Sequence, residues 1–171
     1  MNFFMPKTGY RAASYTRLSR EDEATGESNS IVNQKELIRQ FVSSMPDIEL
    51  CSEQSDDGYS GSSFDRPAFQ AMMKDIQDGN IDCVIVKDLS RFGREYIETG
   101  RYLEQIFPSL NVRFISINDN IDSIKDNHDD LIIPIKNVLN DSYCRDISIK
   151  IRSQQKIKRQ NGDFIGPFAY Y

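Results

Sequence analysis

The chain has 171 residues, which suits one domain with a substantial core, and its charged fraction of 27% is ordinary for a soluble protein. No apolar run approaches bilayer length, and Cys51, Cys83 and Cys144 form no CxxC pair. These features argue against a membrane span, a signal peptide and a structural zinc site, and they predict a reduced, cytoplasmic protein.

Strand and helix patterns alternate along the chain. Apolar residues at helical spacing mark the helices, whereas the nearly continuous apolar run IDCVIVKD is typical of a strand that is buried on both faces. The predicted order is a strand at 9–18, a helix at 30–44, a strand at 48–53, a loop at 54–67, a helix at 67–80, a strand at 81–88, a helix at 94–110, a strand at 112–119 and a polar loop at 120–130. This alternation predicts an α/β fold with a mainly parallel central sheet flanked by helices.

A long C-terminal helix is predicted over residues 131–160, which contain spaced apolar positions and no glycine. Such a stripe on a helix that overhangs a small domain should seek a partner, although the helix could instead pack against its own core. The stripe consists of Val138, Leu139, Tyr143, Ile147 and Ile151.

The net charge of −5 is uneven along the chain. Residues 145–171 contain six basic and two acidic side chains, a net charge of +4, so the first 144 residues carry a net charge of −9. An acidic body with a basic tail predicts that any polyanion is held by local features and by the tail rather than by the whole surface.

Basic and hydroxyl side chains follow the first three predicted strands at the point where each strand ends. In open parallel sheets, ligands bind beyond the carboxyl ends of the strands, so these side chains should converge. They are Arg17 and Ser19 after the first strand, Asp57, Ser60 and Arg66 after the second, and Ser90, Arg91 and Arg94 after the third. Four arginines at one edge of an acidic domain indicate an anion site.

Arg91 and Arg94 stand where the helix at 94–110 should begin. A cation at a helix N-terminus is disfavoured by about 0.3–1 kcal/mol, and a bound anion such as a phosphate would reverse that sign. The alternative is that the two arginines simply pair with nearby carboxylates, namely Glu95, Glu98 or Asp88.

Ser19 has two interpretations. With Asp22 it loosely fits the capping-box spacing, which would make it a helix cap. As a nucleophile it would need activation, and the lone His128 lies in a polar loop, which makes a Ser-His-Asp triad improbable. Clustered guanidiniums offer another route, because they stabilise an alkoxide and the charge that develops on a reacting phosphorus.

Three motifs occur in order along the chain: Tyr15-x-Arg17-x-Ser19, DGYSGSSFDR at 57–66 and LSRFGR at 89–94. Together they resemble the signatures of the serine recombinases of the resolvase/invertase family, in particular the large branch encoded by transposons and phages. The resemblance implies a site-specific DNA recombinase in which Ser19 joins covalently to a DNA 5′-phosphate before exchanged strands are religated, as in transposon excision or integration. It also implies that no metal or nucleotide cofactor is needed.

The resemblance assigns roles to individual positions. It implies that Arg17, Arg66, Arg91 and Arg94 bind and activate the scissile phosphate. Supporting residues would be Tyr15, Gln34, Asp57, Ser60, Asp88 and Ser90, and DNA-binding residues would be Lys150, Arg152, Lys156, Lys158 and Arg159. The small resolvases have aspartate at the position of Ser90, which leaves the proton donor to the leaving 3′ oxygen open.

The resemblance also implies partners and a domain organisation. The partner is double-stranded DNA, on which a homodimer would assemble into a tetramer, without any membrane. Residues 1–130 would form the catalytic domain, 131–160 a dimerisation helix that leads onto DNA, and 161–171 a junction to C-terminal DNA-binding domains.

Two other functions compete with this one. A metal-dependent phosphodiesterase could use aspartate oxygens as Mg²⁺ ligands, although the arginine cluster would repel the metal. The candidate ligands are Asp56, Asp57, Asp119, Asp122, Asp129 and Asp130. A binding or assembly module that has lost catalysis is the second alternative, and the complete arginine and serine set argues against it.

Overall fold

The computed structural model describes residues 8–18, 31–61, 63–125, 144, 147–149 and 151–162. The strands are β1 (Tyr10–Leu18), β2 (Ile48–Asp57), β3 (Cys83–Val86), β4 (Arg113–Ser116) and β5 (Ile121–Asp122). The helices are α1 (Ile31–Ser43), α2 (Pro67–Gln77), α3 (Leu89–Phe92), α4 (Tyr96–Arg101), α5 (Phe107–Ser109) and α6 (151–161).

The five strands form one sheet in the order β2-β1-β3-β4-β5. Strands β1 to β4 run parallel to one another, and β5 is antiparallel to β4. This arrangement confirms the predicted α/β fold with a mainly parallel sheet. The carboxyl ends of β1, β2 and β3 therefore meet at one edge of the sheet, which is where the sequence places its basic residues.

Helices cover both faces of the sheet, and β3 contributes to the core on each side. Cys83 and Ile85 pack in one cluster with Ile38 of α1, whereas Val84 and Val86 belong to a second cluster that contains Phe69 of α2. All four residues of β3 are fully buried. The continuous apolar run was therefore interpreted correctly as a strand with two buried faces.

The strands differ from the sequence prediction in extent: β3 and β4 are shorter than predicted, whereas β2 is longer and β5 was not predicted. β2 continues to Asp57, so the first residues of the predicted loop at 54–67 are strand, because β1 is long enough to pair with them up to Leu18. The predicted polar loop at 120–130 begins with β5, whose Ile121 and Asp122 pair with Ser116 and Ile115. Asp122 is tolerated in this buried strand because Arg113 neutralises it.

The predicted helix at 94–110 is present over residues 96–109, but it begins later than predicted and contains a π-helical turn. It is preceded by the separate turn α3, for which Asp88 is the N-cap residue, and α4 begins only at Tyr96, where the side chain of Glu95 caps the amides of Ile97 and Glu98. Between α4 and α5, residues Tyr102–Ile106 form a π-helical turn.

A proline explains the π-helical turn. Pro108 has no N–H group for the usual bond to the residue four positions earlier, and the amide of Phe107 donates instead to Tyr102, five positions back. The sequence pattern alone shows the apolar spacing of this segment but not how its hydrogen bonds shift.

At the C-terminal end, residues 147–149 and 151–161 are helical, and the side chains of α6 are exposed. This agrees with part of the helix predicted at 131–160, but residues 126–143 lie outside the described part of the chain, with Val138, Leu139 and Tyr143 among them. No helix in the described residues is long and apolar enough to cross a membrane.

Candidate active site

The end of β1 is fixed by a side chain from α1. Gln34, which is fully buried, accepts a hydrogen bond from the backbone amide of Arg17 at 3.3 Å and donates to its carbonyl at 3.0 Å. Ser19 follows β1 after Leu18 and lies outside the described residues. Gln34 thus holds the backbone two residues before the predicted nucleophile.

The guanidinium of Arg17 connects three loops. It is fully buried and donates to the carbonyls of Tyr59 at 2.9 Å, Ser90 at 2.8 Å and Arg91 at 3.3 Å. Gly61 allows this contact, since a Cβ atom there would lie 2.9 Å from Nη2 of Arg17. Through these bonds Arg17 holds together the segments that follow β1, β2 and β3.

The segment after β3 is anchored by carboxylates. The Asp88 carboxylate accepts from the Arg91 amide at 3.1 Å and from the Ser90 hydroxyl. Asp119, predicted only as a candidate metal ligand, accepts from the Leu89 amide at 2.6 Å. The two supporting residues Asp88 and Ser90 are therefore in direct contact with each other.

Arg91 and Arg94 do not stand at the N-terminus of a long helix. Arg91 lies in the last turn of α3, and Arg94 precedes α4, with its amide bonded to the Gly61 carbonyl at 2.8 Å. The helix begins later than predicted because Glu95 caps it. Neither arginine therefore lies in the first turn of the predicted helix, although both lie at the predicted edge, where Nη1 of Arg91 donates to the Arg17 carbonyl at 3.4 Å.

Arg66 is a buried cation whose guanidinium has few hydrogen bonds. It is 1% exposed, and within the described residues its guanidinium donates from Nη2 to the Phe92 carbonyl at 2.7 Å. Within the described part of the chain, Nε and Nη1 of Arg66 have no hydrogen-bond partner. Burial lowers the pKa of this guanidinium, although the neighbouring Tyr15 and Asp56 partly oppose that shift.

Aromatic rings enclose the Arg66 guanidinium. Its central carbon lies 4.8 Å from the ring centre of Phe64, 5.1 Å from that of Phe69 and 5.3 Å from that of Tyr15. Cation–π contacts of this kind offset part of the desolvation of a buried guanidinium. The rings do not replace hydrogen-bond acceptors, because a ring face accepts no strong hydrogen bond, so Nε and Nη1 of Arg66 have no acceptor in the described part of the chain.

At the end of β2 the structure distinguishes two adjacent aspartates. Asp57 and Ser60, both predicted as supporting residues, are exposed. Asp56 is 3% exposed and accepts hydrogen bonds from the Tyr15 hydroxyl at 2.7 Å, the Ala68 amide at 3.0 Å and the Phe69 amide at 3.1 Å. Sequence reasoning missed this role. Pro67 was the available signal, since a helix that starts there needs an acceptor for its first free amides.

The predicted DNA-binding residues are only partly described. Four of the five lie on α6 and are exposed, whereas Lys150 lies outside the described residues. The four are Arg152, Lys156, Lys158 and Arg159. Exposed guanidinium and ammonium groups on one helix are the chemistry that contacts a nucleic-acid backbone.

The described aspartates among the candidate Mg²⁺ ligands do not form a metal site. In the described part of the chain, no three His, Cys, Asp or Glu side chains are grouped to hold a metal ion. Asp56, Asp119 and Asp122 each bond to protein donors, and Asp129 and Asp130 lie outside the described residues.

Comparisons with known proteins identify the family and the fold of the chain. The family model for the N-terminal domain of Resolvase matches residues 12–164. The crystal structure of the N-terminal catalytic domain of TP901-1 integrase is 28% identical, with a TM-score of 0.63, and the match covers 80% of this chain and 98% of that one.

Two further solved structures resemble the chain. A resolvase family site-specific recombinase from Streptococcus pneumoniae is 28% identical over 90% of this chain and 99% of its own, with a TM-score of 0.58. A serine recombinase from Sulfolobus solfataricus, at 20% identity and a TM-score of 0.50 over 72% of this chain and 75% of its own, shares the fold. Since the family model spans residues 12–164, the range that contains the three motifs of this chain, the chain belongs to the Resolvase family and is the N-terminal catalytic domain of a large serine site-specific recombinase.

Proposed function

We propose that Ser19 is the nucleophile of this recombinase. Its hydroxyl oxygen attacks the scissile phosphorus, the bond from phosphorus to the 3′ oxygen breaks, and the 3′ oxygen leaves with a proton. The protein is then joined to the 5′-phosphate through a phosphoserine ester, which conserves the energy of the broken bond. Attack by the 3′ hydroxyl of an exchanged strand reverses the step and frees Ser19.

The observation that carries the proposal is the state of Arg66. A buried charge is stable only when it is paired or hydrogen-bonded, yet Arg66 is 1% exposed with two unbonded N–H groups in the described part of the chain. A phosphate oxygen would satisfy such groups and supply the missing counter-charge. We assign Arg66 to the scissile phosphate, together with Arg91 and Arg94.

Arg17 acts in this scheme mainly through the backbone. Its bonds to the carbonyls of Tyr59, Ser90 and Arg91 hold the loops around the phosphate, and its charge adds to the positive potential there. Gln34 fixes the strand end that leads to Ser19. The predicted supporting roles of Asp57 and Ser60, which are exposed, remain assigned to ordering of their loop.

The leaving 3′ oxygen needs a proton. The Ser90 hydroxyl donates a hydrogen bond to Asp88 beside Arg91, so Ser90 is the candidate proton relay. Ser90 would give its hydroxyl proton to the leaving oxygen and take up the proton that Ser19 loses on attack, so the net change is the transfer of one proton from Ser19 to the 3′ oxygen. Asp88 would orient the Ser90 hydroxyl.

The partner of the reaction is double-stranded DNA, on which the protein acts in the cytoplasm. Four active sites are needed to exchange two duplexes, so a homodimer would assemble into a tetramer. The stripe that includes Ile147 and Ile151, which are exposed, would supply contacts between subunits, and the basic side chains of 150–159 would follow the DNA backbone. Residues 161–171 would lead to DNA-binding domains, and transposon excision or integration is the biological reaction that we assign.

The test is to trap the covalent intermediate in the full protein on a nicked suicide DNA substrate. We expect mass spectrometry to map the phosphodiester to Ser19, and Ser19→Ala to bind DNA without cleaving it. Ser109→Ala, which removes an exposed hydroxyl at the end of α5, is the matched control and should cleave normally. An adduct on another residue, or cleavage by Ser19→Ala, would remove Ser19 from the mechanism.

A further inference from the structure

Asp56 caps α2, the helix that follows Arg66 and the motif at 57–66. The first amides of an α-helix have no partner within the helix, and Arg66, the N-cap residue of α2, provides no side-chain hydrogen bond. The Asp56 carboxylate accepts from two of these amides, those of Ala68 and Phe69. The end of β2 is therefore bonded directly to the first turn of α2.

This cap determines where the backbone of Arg66 lies. Arg66 immediately precedes Pro67, and its φ of −129° and ψ of 132° are the extended values that a following proline favours. With its own conformation restricted and the next turn tied to Asp56, Arg66 has little freedom to shift. The length and direction of its side chain then place the guanidinium beside Phe92.

Tyr15 connects the same carboxylate to the guanidinium. Its hydroxyl donates to Asp56 at 2.7 Å, while its ring centre lies 5.3 Å from the central carbon of Arg66. Burial raises the pKa of the Tyr15 hydroxyl well above its usual range, so the group stays protonated and remains a donor. Asp56, Tyr15 and Arg66 thus form one packed unit at the ends of β1 and β2.

The hydrogen bonds of Asp56 also explain why Arg66 remains open. Both carboxylate oxygens accept from uncharged donors, and neither bonds to Arg66. The carboxylate therefore stabilises the buried guanidinium through space. A directly bonded carboxylate would instead occupy the N–H groups that a phosphate needs.

We infer that Asp56 is a positioning residue for DNA cleavage, which holds Arg66 at the phosphate site through the cap on α2 and through Tyr15 while leaving its Nε and Nη1 unoccupied. This inference rests on the proposed function, because it takes Arg66 to be the group that meets the phosphate. It assigns a role to a residue outside the three recognised signatures.

The test measures single-turnover cleavage of a suicide substrate by the full protein at saturating DNA, with urea unfolding measured in parallel. Asp56→Asn keeps the size of the side chain but removes its charge. We expect cleavage to fall about 100-fold, the scale of a small misplacement of a reacting group. Asp78→Asn, at the exposed far end of α2, is the matched control and should cleave as the wild type does.

A double-mutant cycle separates positioning from general destabilisation. Asp56→Asn should lower cleavage by less than about threefold in an Arg66→Lys background, because the group through which it acts is already altered. Tyr15→Phe removes only the hydroxyl and should lower cleavage about tenfold, consistent with one lost hydrogen bond to a charged group. This second variant keeps the inference testable if Asp56→Asn does not fold.

The outcomes distinguish the two proposals. If Arg66→Lys cleaves as the wild type does, the assignment of Arg66 to the phosphate fails and the role of Asp56 fails with it, whereas the role of Ser19 is decided separately by the covalent adduct. If Arg66→Lys is impaired but Asp56→Asn and Tyr15→Phe cleave normally, or Asp56→Asn lowers cleavage by the same factor in both backgrounds, only the role of Asp56 is overturned.

Discussion

Two buried arginines at opposite edges of the sheet have opposite surroundings. Arg113, at the start of β4, bonds to Asp122 through Nε at 3.0 Å and Nη2 at 2.8 Å, and to Asp47 through Nη1 at 2.7 Å. Arg66, at the other edge, has one carbonyl partner and three aromatic rings. The same residue type is thus paired with carboxylates where the fold needs stability and left without them where DNA would bind.

The pKa values of these two groups move in opposite directions. Burial lowers the pKa of Arg66. Tyr15 and Asp56 oppose this shift, but they act on the guanidinium through space and not through a hydrogen bond. Burial also acts to lower the pKa of Arg113, but the hydrogen bonds that Arg113 donates to Asp122 and Asp47 outweigh it and the net shift is upward. A cation whose burial is only partly compensated is a cost to folding, and the phosphate proposed to bind there would offset that cost.

The largest effect on stability is expected at Arg113. Arg113→Met should lower the free energy of unfolding by about 3–5 kcal/mol, because it leaves Asp122 buried without its main partner. Urea unfolding measures this change. The control is Arg39→Met, which breaks the more exposed pair with Glu53 and should change the same quantity by less than about 1 kcal/mol. A similar loss in both variants would mean that burial does not distinguish the two ion pairs.

A smaller effect is expected at Gly93, beside the aromatic rings that enclose Arg66. A Cβ atom there would lie 2.5 Å from the Phe64 ring and from the Thr99 hydroxyl, so Gly93→Ala should lower the free energy of unfolding by about 1–3 kcal/mol. Gly100→Ala has open space in α4 and should instead raise it by up to about 1 kcal/mol. Equal stability of the two variants would show that the rings around Arg66 are loosely packed.

The smallest effect is expected at Asp47, whose side chain is 40% exposed. Its hydrogen bond from Arg113 lowers the pKa of this carboxyl below the ordinary value of 3.8. A lowered pKa in the folded state adds stability above pH 4 or so, which is lost as the pH falls through the folded pKa. Asp47→Asn should therefore lose slightly less stability than the wild type between pH 7 and about pH 3. The exposed Glu49→Gln variant serves as the control, and an unchanged or larger loss in Asp47→Asn would contradict the account.

The sequence predicts those parts of the site that depend on residue types recurring after the strands. It does not predict those that depend on the exact length of a strand or the start of a helix. The continuous apolar run of β3 and the arginines after each strand were sufficient to predict the sheet and its basic edge. Asp56 and Asp57 could not be ranked from sequence, because only the length of β2 determines which of them turns inward. Likewise, the start of α4 could not be predicted, because it depends on the hydrogen bonds that the Glu95 side chain accepts from the Ile97 and Glu98 amides, and the spacing of apolar residues gives no information about those bonds.

The order of the motifs along the chain predicted the positions of the site residues more reliably than the local secondary structure expected around each residue. Arg91 and Arg94 lie at the expected edge, but not because a helix dipole faces them. β5 was not predicted because a strand of two residues in a polar segment is too short to show an alternating pattern. It is stabilised by Arg113 of the neighbouring strand β4, which bonds to Asp122.

The most direct test compares Arg66→Met with Arg113→Met in the same protein, with cleavage of the suicide substrate and urea unfolding measured for each. We expect Arg66→Met to lower the cleavage rate by about 10²–10³, the usual effect of losing one preorganised charge donor. Its free energy of unfolding should stay within about 1 kcal/mol of the wild-type value or rise, because an unpaired buried charge is removed. Arg113→Met should show the reverse, with reduced stability and normal cleavage by the folded fraction. If Arg66→Met instead unfolds several kcal/mol more easily and its folded fraction still cleaves DNA, Arg66 is a structural residue and the phosphate site lies elsewhere.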